Sequence, residues 1–573
     1  MNQRIDTIAV DDVGNRKARE AAYRRASWPL NLAPASVGYL SQGHALLLGN
    51  ERDVRRAALA LQERGLRSLT LLFTEPVPAA AGEEGVDDDE ILLANTAGLT
   101  HHRLAREQAA RLRIEGYLGR FLVTLEHGET PLDLARALAN RDYFDQVLDL
   151  GETPALALEL PPPGYVATRW AAPETPTRLD AFAALVGEFD KPRYFQIHHA
   201  LCAHSASGNT GCARCLEVCP ADAIQSLKGR VGSRIEIDPY RCHGVGSCSS
   251  ACPTGAIEFR MPESHRQQET LLAWLAAYRE AGGGQPVVRF VASDHLLPDE
   301  SPAGHVLDVP LEELGAAGHD QWLTALAGGA AEVRLQHHPD MPVRLVAFLD
   351  DQLAQARALL EALGHAPERL SVVAVGDTLA RDALPACPPL PADDFELDAS
   401  GKRDRLNQVL DHLAALGEQD GARHAMPREA AYGGLAVDTQ RCTLCMACVA
   451  SCPTPALAAG TESPELSFRE ADCVQCGLCA DACPEEAIAL LPGFLADPAR
   501  HQRHVCHAEA AFDCIRCGKP FATASTIASI KAKLADHPYF AGDAISRLEM
   551  CEDCRVRDVW QDLARDPESQ LKV

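Results

Sequence analysis

The residues whose type and spacing promise chemistry in this chain of 573 are its 21 cysteines. None lies in the first 200 positions. Seven fall between Cys202 and Cys252, one stands apart at Cys387, eight fall between Cys442 and Cys483, and five between Cys506 and Cys554. Cys442, Cys445, Cys448 and Cys452 precede Pro453, and Cys473, Cys476, Cys479 and Cys483 precede Pro484. Three thiolates at i, i+3 and i+6 let one tight loop wrap a polynuclear metal site while its amide N–H groups point at the sulfurs. The proline then turns the chain away. So many cysteines in a reducing compartment read as metal ligands rather than disulfides. Zinc usually takes only two C-x2-C pairs, so eight cysteines in this pattern disfavour it.

Both runs resemble those of bacterial two-cluster ferredoxins, C-x2-C-x2-C-x3-C-P, in which the fourth cysteine of each run binds the other cluster. The resemblance implies one [4Fe-4S] cluster on Cys442, Cys445, Cys448 and Cys483. It implies a second on Cys473, Cys476, Cys479 and Cys452. A further module is expected over about residues 192–260, where both runs depart from the pattern. In its first run Cys212, Cys215 and Cys219 fit the last three places, while the first place falls at Asn209. Cys202 lies seven residues further upstream, across a Ser/Gly/Asn-rich loop. Widening that gap from two residues to nine costs only about 1.3 kcal/mol of closure entropy. Cys202 is therefore expected to serve, with Cys212, Cys215 and Cys252.

The remaining cysteines are Cys242, Cys248 and Cys219, with Val245 where a thiolate is wanted. Valine cannot ligate iron. Seven-iron ferredoxins, which this module resembles, lack the same second cysteine and hold a [3Fe-4S] cluster. An incomplete [4Fe-4S] cluster with water or His243 as fourth ligand is the alternative, and a decayed site is the bland one. The expected inventory is three [4Fe-4S] clusters and one three-thiolate centre.

Cys514 and Cys517 in FDCIRCGKPF, with Cys551 and Cys554 in MCEDCRV, form two further C-x2-C pairs. Their shape resembles a zinc-ribbon knuckle, so a structural zinc is expected, with a fifth iron–sulfur cluster as the alternative. Cys506 and Cys387 read as free thiols. The flanking histidines, His198, His199, His204, His501, His504 and His507, receive no role.

Elements must position these ligands. Alternating apolar residues in IEIDPYRC, LAVDTQRC and LSFREADC predict short strands before three of the runs, each followed by a ligand loop and a short helix. Residues 1–190 read as an α/β layer, with strands in HALLLGN, SLTLLFTE, RFLVTLEHG, DQVLDLG and ALALEL. No G-x-G-x-x-G and no Walker lysine occur there, so a dinucleotide or flavin site is not supported. Residues 263–385 read as a second α/β domain, with strands in VVRFVAS, HVLDV, EVRLQ and LSVVAV and a long amphipathic helix. That order resembles the flavodoxin-like delta subunit of methyl-viologen-reducing hydrogenases that accompany heterodisulfide reductase. The family's [2Fe-2S] cysteines are missing here before Cys387. The fold class expected is thus multidomain α/β plus α+β. Its parts are an N-terminal domain (1–190), a dicluster module (191–262), a flavodoxin-like domain (263–385), a linker with a helix (386–430), a second dicluster module (431–495) and a zinc-ribbon-like segment (496–573).

The formal net charge of −26 argues against nucleic acid and anionic membrane surfaces and suits docking on basic patches of a partner. The N-terminus shows no apolar signal-type stretch, Arg24-Arg25 reads as chance, and no run of about 18 apolar residues occurs, so a cytoplasmic location without a membrane span is expected. Clusters without an organic cofactor motif point to electron transfer. The expected function is a polyferredoxin that relays electrons to or from a partner dehydrogenase, with formate dehydrogenase as a candidate. The alternatives are an enzyme that uses the open iron of a three-cysteine cluster, and a scaffold that delivers clusters. The three-thiolate centre carries less negative charge and is expected at the highest potential.

Overall fold

The computed structural model describes residues 12–29, 35–75, 84–126, 130–204, 211–229, 233–259, 264–296, 301–392, 395–461, 463–540 and 542–565. The N-terminal layer is built on a five-stranded parallel sheet, ordered Thr100–Arg103, Ser68–Glu75, His44–Asn50, Gln146–Asp149, Tyr165–Ala167. Strand His44–Asn50 is buried on both faces, which is why it reads as an apolar run rather than an alternation. Ala45 and Leu47 pack under the helices Glu51–Glu63 and Thr175–Ala183, and Leu46 and Leu48 pack under the antiparallel strands Leu112–Tyr117 and Arg120–Leu125. ALALEL, expected as a strand, forms bends instead, and the short strand after it is Tyr165–Ala167.

The central layer has four parallel strands in the order Val306–Leu311, Val287–Ala292, Glu332–His337, Leu370–Ala374, which is 2-1-3-4 in chain order. The helix Asp12–Arg25 packs on this layer, against the helix Ser264–Glu280, and not on the sheet that follows it in sequence. Arg19 donates to the carbonyls of Ala303 (2.8 Å) and Val306 (3.0 Å), and Trp274 Nε1 donates to Ala26 O at 2.7 Å. The helix Lys402–Leu416 completes the core with Leu406, Val409, Leu410 and Leu413.

Two buried histidines of this layer make it acid-sensitive. His305 Nε2 bonds the Ala383 carbonyl at 3.1 Å and His365 Nε2 the Leu413 carbonyl at 2.7 Å. Burial pushes both pKa values below the ordinary histidine value. The unfolded chain therefore binds more protons below about pH 6.5, and stability falls as pH drops through that value, by up to about 1.4 kcal/mol per pH unit for each histidine. Thermal melts between pH 7.5 and 5.5 should show this loss, and His305→Gln with His365→Gln should lessen it, with His319, His337 and His338, also lowered by burial, supplying the remainder. A wild-type melting temperature constant over that range would contradict the assignment.

Each cysteine module is closed by two antiparallel strand pairs. In the first, Phe195–Ile197 pairs with Ile257–Phe259, and Ile224–Lys228 with Ser233–Ile237. In the second, Gly433–Val437 pairs with Ile488–Pro492, and Leu457–Ala459 with Glu465–Phe468, which is extended by His504–Ala508. The C-terminal segment is a hairpin (Ala511–Asp513 with Pro520–Thr523) followed by the helices Ala524–Leu534 and Glu552–Arg565. No described helix is long and apolar enough to cross a membrane.

Candidate metal centres

The ligand loops share one backbone device. Leu444 and Met446 have φ of +56° and +61°, Gln475 and Gly477 +51° and +84°, and Gly244 and Gly246 +81° and +90°. Left-handed residues on both sides of the second ligand position curl the loop so that three side chains converge. Short helices start directly after it, at Ser247–Ala251, Ala447–Ser451 and Leu478–Asp481. Donors aim at sulfur: Ala223 N reaches Cys219 Sγ at 3.4 Å, Ala487 N reaches Cys483 Sγ at 3.3 Å, and Gln475 Nε2 reaches Cys473 Sγ at 3.3 Å.

The thiols crowd together within each module. Cys215 is pushed up by burial, and the nearby Cys252, Cys212 and Cys202 add to the shift. Cys242 is raised to about 11 by burial, with Cys219 beside it, and burial raises the fully enclosed Cys248, with Cys242, Cys219, Cys215 and Cys252 around it. Burial raises Cys448 to about 12, with Cys445, Cys442 and Cys483 around it. Burial raises Cys479 to about 12, with Cys473, Cys476, Cys452 and Cys448 around it. Buried thiols crowded in this way resist ionisation unless a cation takes the place of the protons, so the donor sets suit metal.

Comparison with known proteins agrees with this chemistry. The 4Fe-4S dicluster domain family matches residues 210–256 and 441–487. A ferredoxin of Methanocaldococcus jannaschii, itself uncharacterized, is 32% identical over 59 residues, which is 10% of this chain and 77% of the relative. The chain belongs to the ferredoxin family. A putative electron transport protein of Escherichia coli, YsaA, is 37% identical over 70 residues, covering 12% of this chain and 41% of that protein. This ferredoxin is an iron–sulfur electron-transfer protein with two dicluster modules.

The first ferredoxin module holds its irregular run with a residue that sequence reasoning passed over. His204 is 1% exposed, and its Nδ1 meets the Cys212 carbonyl at 2.8 Å while Nε2 meets Ser226 Oγ at 2.7 Å. It pins the start of the insert to its end. Asn209 lies outside the described residues. Position 213, which follows the second ligand place, has φ of −116° instead of a left-handed value, so this loop alone departs from the shared device.

Val245 is 8% exposed and belongs to the hydrophobic core of the central layer. Its loop is clamped from outside: a Cβ on Gly246 would meet Ala316 Cα at 2.5 Å. His243 spends Nε2 on the Pro161 carbonyl at 3.0 Å, and burial pushes its pKa down.

The two modules meet. Arg214 Nη1 donates to Cys212 Sγ at 3.6 Å and to the Val474 carbonyl at 3.2 Å, and its Nε reaches the Glu429 carbonyl at 3.0 Å. A Cβ on Gly211 would meet Leu478 Cγ at 2.8 Å. Cys476 is raised to about 11 by burial, with Cys473, Cys452 and, from the other module, Cys212 adding repulsion. Two consecutive cations at the start of one helix tie the modules from the side. Lys402 Nζ donates to the carbonyls of Ser249 (2.8 Å) and Ser250 (3.0 Å), and Arg403 donates to those of Ala471 (3.0 Å) and Cys473 (2.9 Å). Beside them opens a cavity of about 270 Å³, walled by Ala251, Pro253, His319, Phe348, Lys402 and Tyr432.

In the C-terminal segment the sulfurs of Cys514, Cys517, Cys551 and Cys554 all lie within 4.8 Å of one another, with Cys517 and Cys551 at 3.6 Å. Four thiolates about 2.3 Å from one tetrahedral ion stand about 3.8 Å apart, so the quartet has the size of a single-ion site. Burial works against ionising Cys514, yet its pKa is drawn down to about 6 by backbone amides of Cys551, Arg516 and Cys517. The first pair sits on the hairpin turn. The second pair differs from the ribbon expectation: Cys551 and Cys554 lie at the start of the helix Glu552–Arg565 rather than on a second hairpin. Cys506 packs near Cys442 and is raised to about 11 by burial.

Proposed function

We propose that the chain is a four-centre relay in which the two dicluster modules act as one path. The order is the centre of Cys242, Cys248 and Cys219, then that of Cys202, Cys212, Cys215 and Cys252. Next comes that of Cys452, Cys473, Cys476 and Cys479, then that of Cys442, Cys445, Cys448 and Cys483. The observation that carries this reading is the proximity of Cys212 to Cys476, with Arg214 spanning the junction. Bound clusters of this kind accept and release single electrons, at potentials set by charge, burial and hydrogen bonds to sulfur. The residues do the rest. Lys402 and Arg403 hold the modules in register, and Arg214 and Gln475 donate to sulfurs at the junction. The proposed inventory is three [4Fe-4S] clusters and a [3Fe-4S] cluster at the Val245 position. Electrons run from the 442–483 module toward the 202–252 module, in the direction of rising reduction potential. The 2-1-3-4 strand order of the central layer suits a flavodoxin-like scaffold. The acidic chain suits a partner with a basic docking patch, a dehydrogenase of the formate dehydrogenase type, in the cytoplasm.

Potentiometric titration of the anaerobic protein tests the order. The Val245 centre should be the first to reduce as the potential is lowered, and finding it last would overturn the proposed direction.

The C-terminal quartet is proposed to hold a structural zinc. Metal analysis should return about one zinc per chain, and Cys551→Ser should lose it. Structural zinc binding is folding free energy, on the order of 10 kcal/mol in small zinc peptides, so the variant should also expose residues 511–565 to protease. Zinc-free protein with surplus iron would reject the assignment.

The cavity favours a second reading, in which a small substrate meets the relay inside this chain. Ala347 also lines this cavity and is exposed at its rim, and Ala347→Trp separates the two. A relay keeps its rate of electron delivery in this variant, whereas an enzyme loses turnover.

A further inference from the structure

A second group of metal-type donors lies far in sequence from every cysteine run. The strands Val287–Ala292 and Glu332–His337 are parallel neighbours, and the chain passes from the first to one side of the sheet before crossing to the other. The crevice beyond the carboxyl ends of such a strand pair is where open α/β sheets bind ligands. The turn Ser293–His295 leaves the first strand at that edge, and His338 leaves the second. The His295 and His338 rings lie 4.0 Å apart at 33°. A tight turn, with Met341 N donating to His338 O at 3.3 Å, brings Asp340 back beside them. One donor atom each from His295, His338 and Asp340 lies within 4.8 Å of the others. Independently, His338 Nδ1 and His337 Nε2 are buried with no hydrogen-bond partner, a state that asks for an unseen ion or water.

We propose that His295, His338 and Asp340 form a binding site for a divalent first-row transition ion, with remaining coordination positions open to solvent. Two neutral imidazoles and a carboxylate are a donor set that Zn2+ and Fe2+ share. Donors about 2.0–2.1 Å from a tetrahedral ion stand roughly 3.4 Å apart, which small side-chain rotations reach from the observed spacing. Asp294 and Glu312 stand near Glu313, so further carboxylates leave the carboxyl ends of the neighbouring strands. Asp340 is exposed, so the ion would exchange with solvent, unlike one held by the mostly buried C-terminal quartet.

Equilibrium dialysis of the full, cluster-loaded chain under anaerobic conditions against Co2+, Zn2+ or Fe2+ tests the site. The wild type should bind one equivalent more than the His295→Ala/His338→Ala variant with each ion that the site accepts. The Co2+ spectrum of that extra equivalent should show ligand-field bands without thiolate charge transfer, which separates it from the cysteine quartet. Asp340→Asn, at an exposed position, should weaken this equivalent without changing the cluster spectra, which guards against misfolding of the double variant. Equal stoichiometry in wild type and double variant, or an extra equivalent with thiolate bands, overturns the proposal. Selectivity between the Zn2+ and Fe2+ arms decides which ion the site prefers.

Discussion

Replacing Val245 by cysteine should give a chain that holds one more iron and no longer shows the oxidised-state electron paramagnetic resonance signal of a [3Fe-4S] centre. The backbone is already shaped for a fourth ligand. Gly244 and Gly246 keep φ of +81° and +90°, matching Gln475 and Gly477 around Cys476, although position 245 carries no sulfur. His243, the other local donor, is turned to the Pro161 carbonyl at 3.0 Å. The substitution removes a buried aliphatic side chain from the central core, at a cost on the order of 1 kcal/mol, so the variant should fold. Its centre should then fall in potential as the extra thiolate adds negative charge. An unchanged iron count with an unchanged signal would contradict the three-thiolate assignment.

The reciprocal change should have the larger effect on electron flow. Cys476→Val places the same deficit in the centre beside Cys212, where Arg214 bridges the modules. The variant should show a second [3Fe-4S] signal, and the junction centre should rise in potential. Electrons entering from the 442–483 side should then collect there, and reduction of the first module should slow while its own clusters stay intact. Freeze-quench spectroscopy after rapid mixing with a reductant distinguishes stored from transmitted electrons. Unimpeded reduction of the first module in this variant would show that the modules are charged separately.

How much of this was legible beforehand depends on distance along the chain. The ligand runs are local, three residues between sulfurs, so spacing alone exposes them. Cys202 lies near Cys215 despite the wider gap, and closing a longer loop costs little. The strands of the two α/β layers announce themselves through apolar runs such as HALLLGN and VVRFVAS. What spacing cannot show is set by packing between distant segments. His204 looks like one of several histidines until Ser226 and the Cys212 carbonyl appear on its two nitrogens. Lys402 and Arg403 look like ordinary helix-start cations until each is seen to hold a different module. The helix Asp12–Arg25 crosses to a layer more than two hundred residues away through Arg19 and Trp274. ALALEL alternates like a strand, yet its neighbour Asp149 bonds Tyr165 and the following amides, and the chain bends. The second C-terminal cysteine pair has the spacing of a knuckle, but an amphipathic stretch after it forms a helix.

The most direct measurement is paramagnetic resonance of the fully reduced, anaerobically prepared chain, set against variants lacking the clusters of one module or the other. A continuous path through Cys212 and Cys476 predicts spin coupling across the junction, so the spectrum of the whole chain differs from the sum of its two halves. A spectrum equal to that sum, or a colourless preparation that carries zinc and no iron, would contradict it.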